Sequence, residues 1–176
     1  MCFQLSRWST RTGAEGELLT LDVQDRSRWD RTLIADGVHA LARARRGDRG
    51  PLLLQAELAA CHATAPSPQD TDWTAIVALY DELLGIEESP VVALNRAVAV
   101  AMATGPATAL PLLDELATDP ALARSHRVWA IRADLHRRLG RASAALSDYA
   151  RALELVRNDV ERRHLADAHA RLADRS

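Results

Sequence analysis

Residues 129–155 read WAIRADLHRRLGRASAALSDYARALEL, and they carry the clearest structural pattern of the chain. Small and aromatic side chains recur there at fixed intervals: Trp129, Ala133, Gly140, Ala145, Tyr149 and Ala152. The small side chains allow two helix backbones to approach closely, and the aromatic ones fill the remaining space. The stretch therefore predicts two antiparallel helices joined by a tight glycine turn.

The same intervals resemble those of a tetratricopeptide repeat (TPR), a helical hairpin with a period of about 34 residues. Gly140 follows Gly105 by 35 positions, and each glycine is predicted to end one helix and begin another. A second stretch with Trp73, Ile76 and Tyr80 matches the first half of the repeat. The pattern departs from the repeat at Arg157, where a proline is usual.

The composition favours a helical protein of this kind. The 176 residues include 33 alanines and 26 leucines but only 7 aromatic residues, which disfavours a sheet-based core. All 22 basic residues are arginine, and 24 acidic residues give a formal charge of −2. Nucleic-acid-binding modules usually carry a basic excess, so we expect no direct nucleic-acid contact. No stretch is apolar for long enough to predict a membrane span.

Prolines and capping residues mark the helices from one end of the chain to the other. After a first short helix, a polar loop is expected over 12–17, and an apolar stretch with Leu18, Leu19, Leu21 and Val23 is predicted to be extended. The next helix is predicted to begin after an Asp25 or Ser27 cap and to stop at a left-handed Gly47. Asp70 or Thr71 is predicted to cap the helix from Trp73, and Asn158 or Asp159 the last helix. The predicted helices that follow residue 50 span 51–65, 73–84, 90–104, 106–117, 120–139, 142–156 and 159–174.

The predicted fold class is all-α, with antiparallel helical hairpins stacked as a TPR-like α-solenoid. The hairpins pair 51–65 with 73–84, 90–104 with 106–117, and 120–139 with 142–156, and 159–174 caps the stack. Residues 1–50 are interpreted as a helical linker with the first long helix, and residues 51–176 as the repeat domain. Pro111 is expected to kink or shorten its helix. Trp29, Trp73, Tyr80, Trp129, Ala145 and Tyr149 are the predicted packing residues.

No catalytic or metal-binding constellation is predicted. The six histidines form no HxxxH or HExxH pattern, and no glycine-rich phosphate loop is present. Cys61 and His62 are adjacent, and neighbouring residues of a helix point about 100° apart, which disfavours a nucleophile pair. The two cysteines are too few for a disulfide framework, so a cytoplasmic setting is expected. We expect no cofactor and no enzymatic activity.

A polar groove is the predicted binding feature. Asn95 and Arg96 interrupt an otherwise apolar helix, and a buried guanidinium without a partner would be very costly. In the preferred pairing, the inner helix wall presents Asn95 and, from the next inner helix, Arg127, Asp134 and Arg137. Arg96 is the fifth candidate residue of the groove. Such a wall could hold an extended segment or a carboxylate. The alternative is an internal salt bridge that joins Arg96 or Arg132 to Asp134 or Asp81. For the arginines beside Trp29, we favour a structural role in pinning the loop.

Several blocks together resemble the C-terminal extension of a group of extracytoplasmic-function (ECF) sigma factors that carry a TPR-like domain. The blocks are QDRSRWD from Gln24, APSPQDTDW from Ala65, IVALYD from Ile76, SPVVALNRAVAV from Ser89 and RADLHRRLG from Arg132. The resemblance covers nearly the whole chain, and the block from Ser89 is the most specific. Pro111 departs from that pattern.

The resemblance implies a fragment of a longer sigma factor whose promoter-reading domains precede this extension. It implies a regulatory, non-catalytic role through contacts with the sigma domains of the parent chain, with RNA polymerase, or with a partner protein. Small YCII-like proteins often accompany such factors and are a candidate partner class. The alternative hypothesis is a free-standing TPR-like adaptor that binds a peptide or a protein tail.

Overall fold

The computed structural model describes residues 1–13, 19, 21 and 23–174, and it is all-helical over these residues, apart from turns and an isolated bridge at Thr12. The α-helices are α1 (Cys2–Leu5), α2 (Arg31–Ala44), α3 (Pro51–Thr64), α4 (Trp73–Ile86), α5 (Pro90–Ala103), α6 (Pro106–Leu116), α7 (His126–Arg138), α8 (Ala142–Leu155) and α9 (Asp159–Ala173). Short 3-10 helices span Trp8–Thr10, Arg26–Arg28 and Pro68–Asp70. The predicted all-α class is confirmed over the described residues.

The chain divides into two compact units, Met1–Glu87 and Glu88–Ser176. The predicted boundary at 50/51 falls inside the first unit. Within each unit the predicted helix pairs are in contact: α3 packs on α4, α5 on α6, and α7 on α8, with α9 against α8.

Helix starts follow the local capping chemistry. Pro51, Pro90 and Pro106 each occupy the first turn of a helix, where the missing N–H costs no hydrogen bond. Ser89 Oγ accepts a hydrogen bond from Val92 N, and Asn158 Oδ1 accepts one from Val160 N. The predicted starts at Pro51, Pro90, Pro106 and Asn158 are confirmed.

Two of the predicted caps are wrong by a few residues. Asp30, rather than Asp25 or Ser27, caps α2, and its Oδ1 accepts from Thr32 N at 2.9 Å. Asp25 instead caps the preceding 3-10 helix. Asp72, rather than Asp70 or Thr71, caps α4, and its Oδ1 accepts from Ala75 N at 2.9 Å. In both places several aspartates compete, and the cap is the one directly before the first helical residue.

The helix predicted over 120–139 begins later, at His126. Asp119 Oδ1 does accept from Ala121 N, but residues 120–124 form turns instead of helix. The turns bury Leu122, which is 4 % exposed. Asp119 and Pro120 therefore start a turn, not the helix.

Glycines and prolines end or interrupt the other helices in different ways. Gly105 and Gly140 have φ of 100° and 71°, conformations that strain residues with a Cβ, and both separate successive helices as predicted. Among the described residues no other glycine has a positive φ, so the predicted left-handed Gly47 is wrong. Pro111 lies inside α6, which continues to Leu116 and is three residues shorter than α5.

The core of the first unit forms around a tryptophan and the helices near it. Trp29 is 3 % exposed, and its Nε1 donates to Thr10 Oγ1 at 2.9 Å. Buried residues from α1, α2 and α3 join it in one cluster: Phe3, Ile34, Leu41, Leu53 and Ala63. On α4, Ile76 is buried, while Trp73 and Tyr80 are partly buried. Of the predicted extended stretch, Leu18 lies outside the described residues, and Leu19 N donates to Arg11 O at 2.8 Å.

The core of the second unit matches the small-residue pattern of 129–155. Ala133, Ala145 and Ala152 are completely buried, and Tyr149 is 5 % exposed. Trp129 is partly buried and packs against this cluster, which also includes Val156 and Leu165. Of the predicted packing residues, Trp29, Ala145 and Tyr149 are buried, while Trp73, Tyr80 and Trp129 are partly buried.

Candidate protein-binding surface

One face of α5 carries a row of four partly exposed side chains, three of which are apolar. Its members follow one another at intervals of 4, 3 and 4 residues, which places them on one side of the helix: Val91, Asn95, Val98 and Met102. Val91 is 55 % exposed and Met102 is 45 % exposed. The Asn95 side chain makes no hydrogen bond to another described residue, so its amide is available to a ligand in the middle of this row.

A second row, on α7, is polar and meets the first row at Met102. Arg127, Asp134 and Arg138 are separated by 7 and 4 residues and share one side of the helix. Arg138 reaches α5, because its Nη1 is 3.9 Å from the Met102 sulfur and its Nη2 donates to Ala101 O at 3.4 Å. The two rows together are called the α5/α7 face below.

The structure brings most of the predicted groove residues to this face. Asn95 and Arg127 lie in the two rows, and Arg127 is exposed. Asp134 and Arg137 form an ion pair along α7, with Arg137 Nε 3.2 Å from Asp134 Oδ1. This hydrogen bond is the largest cause that raises the pKa of Arg137. Arg96 is partly buried on α5, one residue beyond the row.

Arg138 is the residue of this face that the sequence interpretation missed. It follows Arg137 in a run of basic residues at the end of α7, where arginine is ordinarily expected to face solvent near the helix dipole. Its contact with α5 depends on how two helices meet, and no local signal reports that contact.

A buried ionic cluster lies under the hairpin of α7 and α8. Asp148 has a side-chain exposure of 9 %, and its Oδ2 is 3.5 Å from Arg132 Nε and 3.8 Å from His136 Nε2. Arg132 Nη2 is also 3.2 Å from Asp114 Oδ1 on α6. The predicted alternative of an internal salt bridge is correct for Arg132, but its partners are Asp114 and Asp148 rather than Asp134.

In the first unit, Arg26 pins the loop that surrounds Trp29. Its Nη1 donates to His62 O at 3.0 Å and to Ala65 O at 2.9 Å, and its Nη2 donates to Thr71 Oγ1 at 3.3 Å. Its guanidinium lies 5.1 Å from the centre of the Trp29 ring. The predicted structural role of this arginine is confirmed.

Cys61 and His62 have separate surroundings. The His62 ring stands edge-on to Trp73, with the ring centres 5.3 Å apart. Burial, aided by Arg26 and Arg7, lowers the pKa of His62 to about 4. Burial raises the pKa of the Cys61 thiol, and this disfavours the thiolate that a nucleophile needs. The structure therefore gives no support to activation of Cys61 by its neighbour.

A cleft of about 660 Å³ runs between α2, α3 and α4. Its walls are mainly apolar, with Val38, Leu41 and Leu79 among them, and Cys61 also lines it. Charged residues occupy one end: Arg45, Arg49, Glu57 and Glu82. Glu57 is buried, and Arg45 Nε donates to its Oε1 at 2.6 Å while Arg49 Nη1 lies 2.9 Å from its Oε2. The charges at this end compensate one another.

The described residues contain neither a cluster of metal ligands nor a membrane-spanning helix. Three or more histidine, cysteine, aspartate or glutamate side chains nowhere converge there in a way that could hold a metal ion. None of the described helices is both long enough and apolar enough to cross a membrane.

Comparison with known proteins gives a partial family match and one informative relative. Residues 1–45 match a family of unknown function, DUF6596. A protein of Rhizobium meliloti (strain 1021), described as uncharacterized, is 38 % identical over 162 residues. The match covers 92 % of this chain but only 38 % of that relative, so the chain spans less than half of the relative's length. No solved structure matches the chain.

Proposed function

We propose that the chain is the regulatory, protein-interaction segment of a longer ECF sigma factor and controls transcription initiation without catalysis. The observation that carries the interaction role is the α5/α7 face, where a half-exposed apolar row lies beside exposed arginines. Its partners are the sigma domains of the parent chain, RNA polymerase, and in some settings a small partner protein. Transcription places this activity in the cytoplasm.

The sigma assignment draws on the resemblance of five sequence blocks. The relative of Rhizobium meliloti is compatible with it, because most of that protein lies outside the 162 matched residues and has room for further domains. The net charge of −2 agrees with a segment that leaves DNA contact to another part of the protein.

A TPR-like stack is the arrangement we propose for the repeated hairpins. Two features support it within the second unit. Short turns at Gly105 and Gly140 join successive helices, and the alanines of the 129–155 pattern, Ala133, Ala145 and Ala152, are completely buried.

The test uses the longer protein that contains this chain, together with a version that lacks residues 90–176. Both are mixed with core RNA polymerase, and promoter-specific transcripts and complex formation are measured. We expect the truncation to change transcript yield, or its response to a partner, while general binding to polymerase persists. Identical output from both proteins under every condition tested would contradict the proposal.

The alternative function is a TPR-like adaptor that works without sigma domains. The same α5/α7 face favours it, because a helical face with an apolar row and a free amide is suited to a peptide. The reading frame upstream of Met1 distinguishes the two functions, since only the first requires sigma domains in the same polypeptide.

A further inference from the structure

We propose that the α5/α7 face binds an extended peptide segment in which acidic side chains accompany apolar ones. This inference rests on the proposed interaction role and specifies the chemistry of the partner.

The positive charge on and around the α5/α7 face comes from arginines that have no acidic partner. Residues 124–141 contain six arginines and a single acidic residue, Asp134. Arg132 is compensated by Asp114 and Asp148, and Arg137 by Asp134. The remaining four are exposed and have no carboxylate within 4.0 Å among the described residues: Arg124, Arg127, Arg138 and Arg141. An acidic partner would complement the positive charge of this surface.

The α5 row indicates the length and the apolar character of the partner segment. From Val91 to Met102 the helix advances about 16 Å, which is the length of about five residues of an extended peptide. Val91, Val98 and Met102 can cover apolar side chains. The Asn95 amide has both a donor and an acceptor, and it can therefore pair with a peptide backbone. Alternate side chains of an extended segment point in opposite directions, so one set can lie on α5 while the other reaches the arginines of α7.

A protein segment fits these features better than a nucleic acid does. Only Arg127 and Arg138 lie on the face itself, whereas binding to a phosphate backbone usually depends on many cations. Bases also need an open aromatic ring to stack on. Trp129 of α7 is already covered, because the guanidiniums of Arg132 and Arg151 lie 5.0 and 6.0 Å from the centre of its ring.

The experiment measures binding of fluorescein-labelled peptides to the 176-residue protein by fluorescence anisotropy. The probe is a short peptide that alternates glutamate and leucine. A version with glutamine in place of glutamate tests the charge, and a version with serine in place of leucine tests the apolar row. We expect saturable binding of the first peptide only, with an affinity that falls as salt is added, because the arginines are exposed to solvent.

Two variants test the location. Arg127→Glu reverses one charge at the start of α7, where a carboxylate suits the helix dipole, and Asn95→Asp adds a charge without changing the side-chain shape. Each should weaken binding on the order of tenfold, because like charges then face each other. Arg163→Glu is the matched control: it makes the same charge change on an exposed position of α9 and should bind as the wild type does. Circular dichroism confirms that each variant is folded.

Three results would overturn the inference: no saturable binding of the alternating peptide, equal binding of the glutamine version, or equal affinity in Arg127→Glu and wild type. Stronger arginine-dependent binding of a single-stranded oligonucleotide would also overturn it, in favour of a nucleic-acid partner. The transcription experiment with the truncated protein tests the sigma proposal independently of peptide binding. If the peptide does not bind while transcription still depends on residues 90–176, the peptide inference is wrong and the sigma proposal is unaffected. If transcription does not depend on these residues, the sigma assignment is wrong and the peptide-binding result is unaffected.

Discussion

Arg132 and Asp148 lie 3.5 Å apart beneath the α7/α8 hairpin, yet Arg132 Nε and Asp148 Oδ2 make no hydrogen bond. Arg132 also contacts Asp114, which is 59 % exposed, so one cation is shared between a buried and an exposed carboxylate. Burial is the largest influence on Asp148 and raises its pKa, while the attraction of Arg132 and His136 opposes that rise. The buried carboxylate is thus less favourable in the fold than in water.

Asp148→Asn should change how the stability of the protein depends on pH. A raised pKa means that the folded protein holds this proton more tightly than the unfolded chain does. The contribution of Asp148 to stability is therefore most favourable below its ordinary pKa of 3.8 and is lost as the pH rises above that value towards the folded pKa. We expect the stability of the wild type relative to Asp148→Asn to decline over that range, as measured by urea unfolding at several pH values. A relative stability that increases with pH would contradict the assigned environment.

His62→Phe should have the opposite dependence on pH. Because the pKa of His62 falls from 6.5 to about 4, the folded protein binds this proton less tightly than the unfolded chain. The stabilisation is complete above pH 6.5 and is lost as the pH falls towards about 4. The variant should therefore lose less stability than the wild type between these two values. Parallel curves for the two proteins would show that His62 is freely hydrated.

Ala145→Leu tests the helix crossing of the repeat pattern. Ala145, on α8, is completely buried, so added side-chain volume must displace its neighbours. We expect the free energy of unfolding to fall by about 1 to 3 kcal/mol, as measured by chemical denaturation. Ala150→Leu, on an exposed position of the same helix, is the control and should be close to neutral. Equal stability of the two variants would mean that the crossing lies elsewhere.

Arg26→Lys tests whether the hydrogen bonds of Arg26 hold the loop around Trp29 in place. A lysine cannot donate to three separate acceptors and stack on Trp29 at the same time. We predict a loss of about 2 to 4 kcal/mol in unfolding free energy, since hydrogen bonds to charged groups are among the stronger ones. Arg28→Lys, two residues away and exposed, should change stability by about 0.5 kcal/mol or less. If both variants unfold at the same denaturant concentration, Arg26 does not hold the loop.

Glu57→Gln should destabilise the first unit. The side chain is buried and receives both Arg45 and Arg49, so its loss leaves two cations without their shared carboxylate. The expected loss is about 1 to 3 kcal/mol, and added salt should reduce it by screening the arginines. Thermal unfolding of each variant measures the loss. Glu82→Gln, which removes a half-exposed partner of Arg49, should lower the melting temperature less than Glu57→Gln does.

Some contacts were beyond prediction from local patterns. Gly37 lies in the middle of α2, and a Cβ at this position would come within 2.7 Å of the Phe3 ring. The glycine is explained by a residue 34 positions earlier, so no periodicity in its own helix reveals the reason. The burial of Glu57 and Asp148 is similar, because each is a carboxylate whose charged partners lie outside its own helix.

The amino-acid sequence by itself determined the helical class, the helix starts at Pro51, Pro90, Pro106 and Asn158, and the turns at Gly105 and Gly140. These features depend on hydrogen bonds and backbone angles within a few residues, which local residue types specify directly. Only the tertiary structure decided which aspartates pair with Arg132, which carbonyls receive Arg26, and that Arg138 reaches α5. Such contacts join residues far apart in the chain, and their energies depend on how helices pack and how much water they exclude.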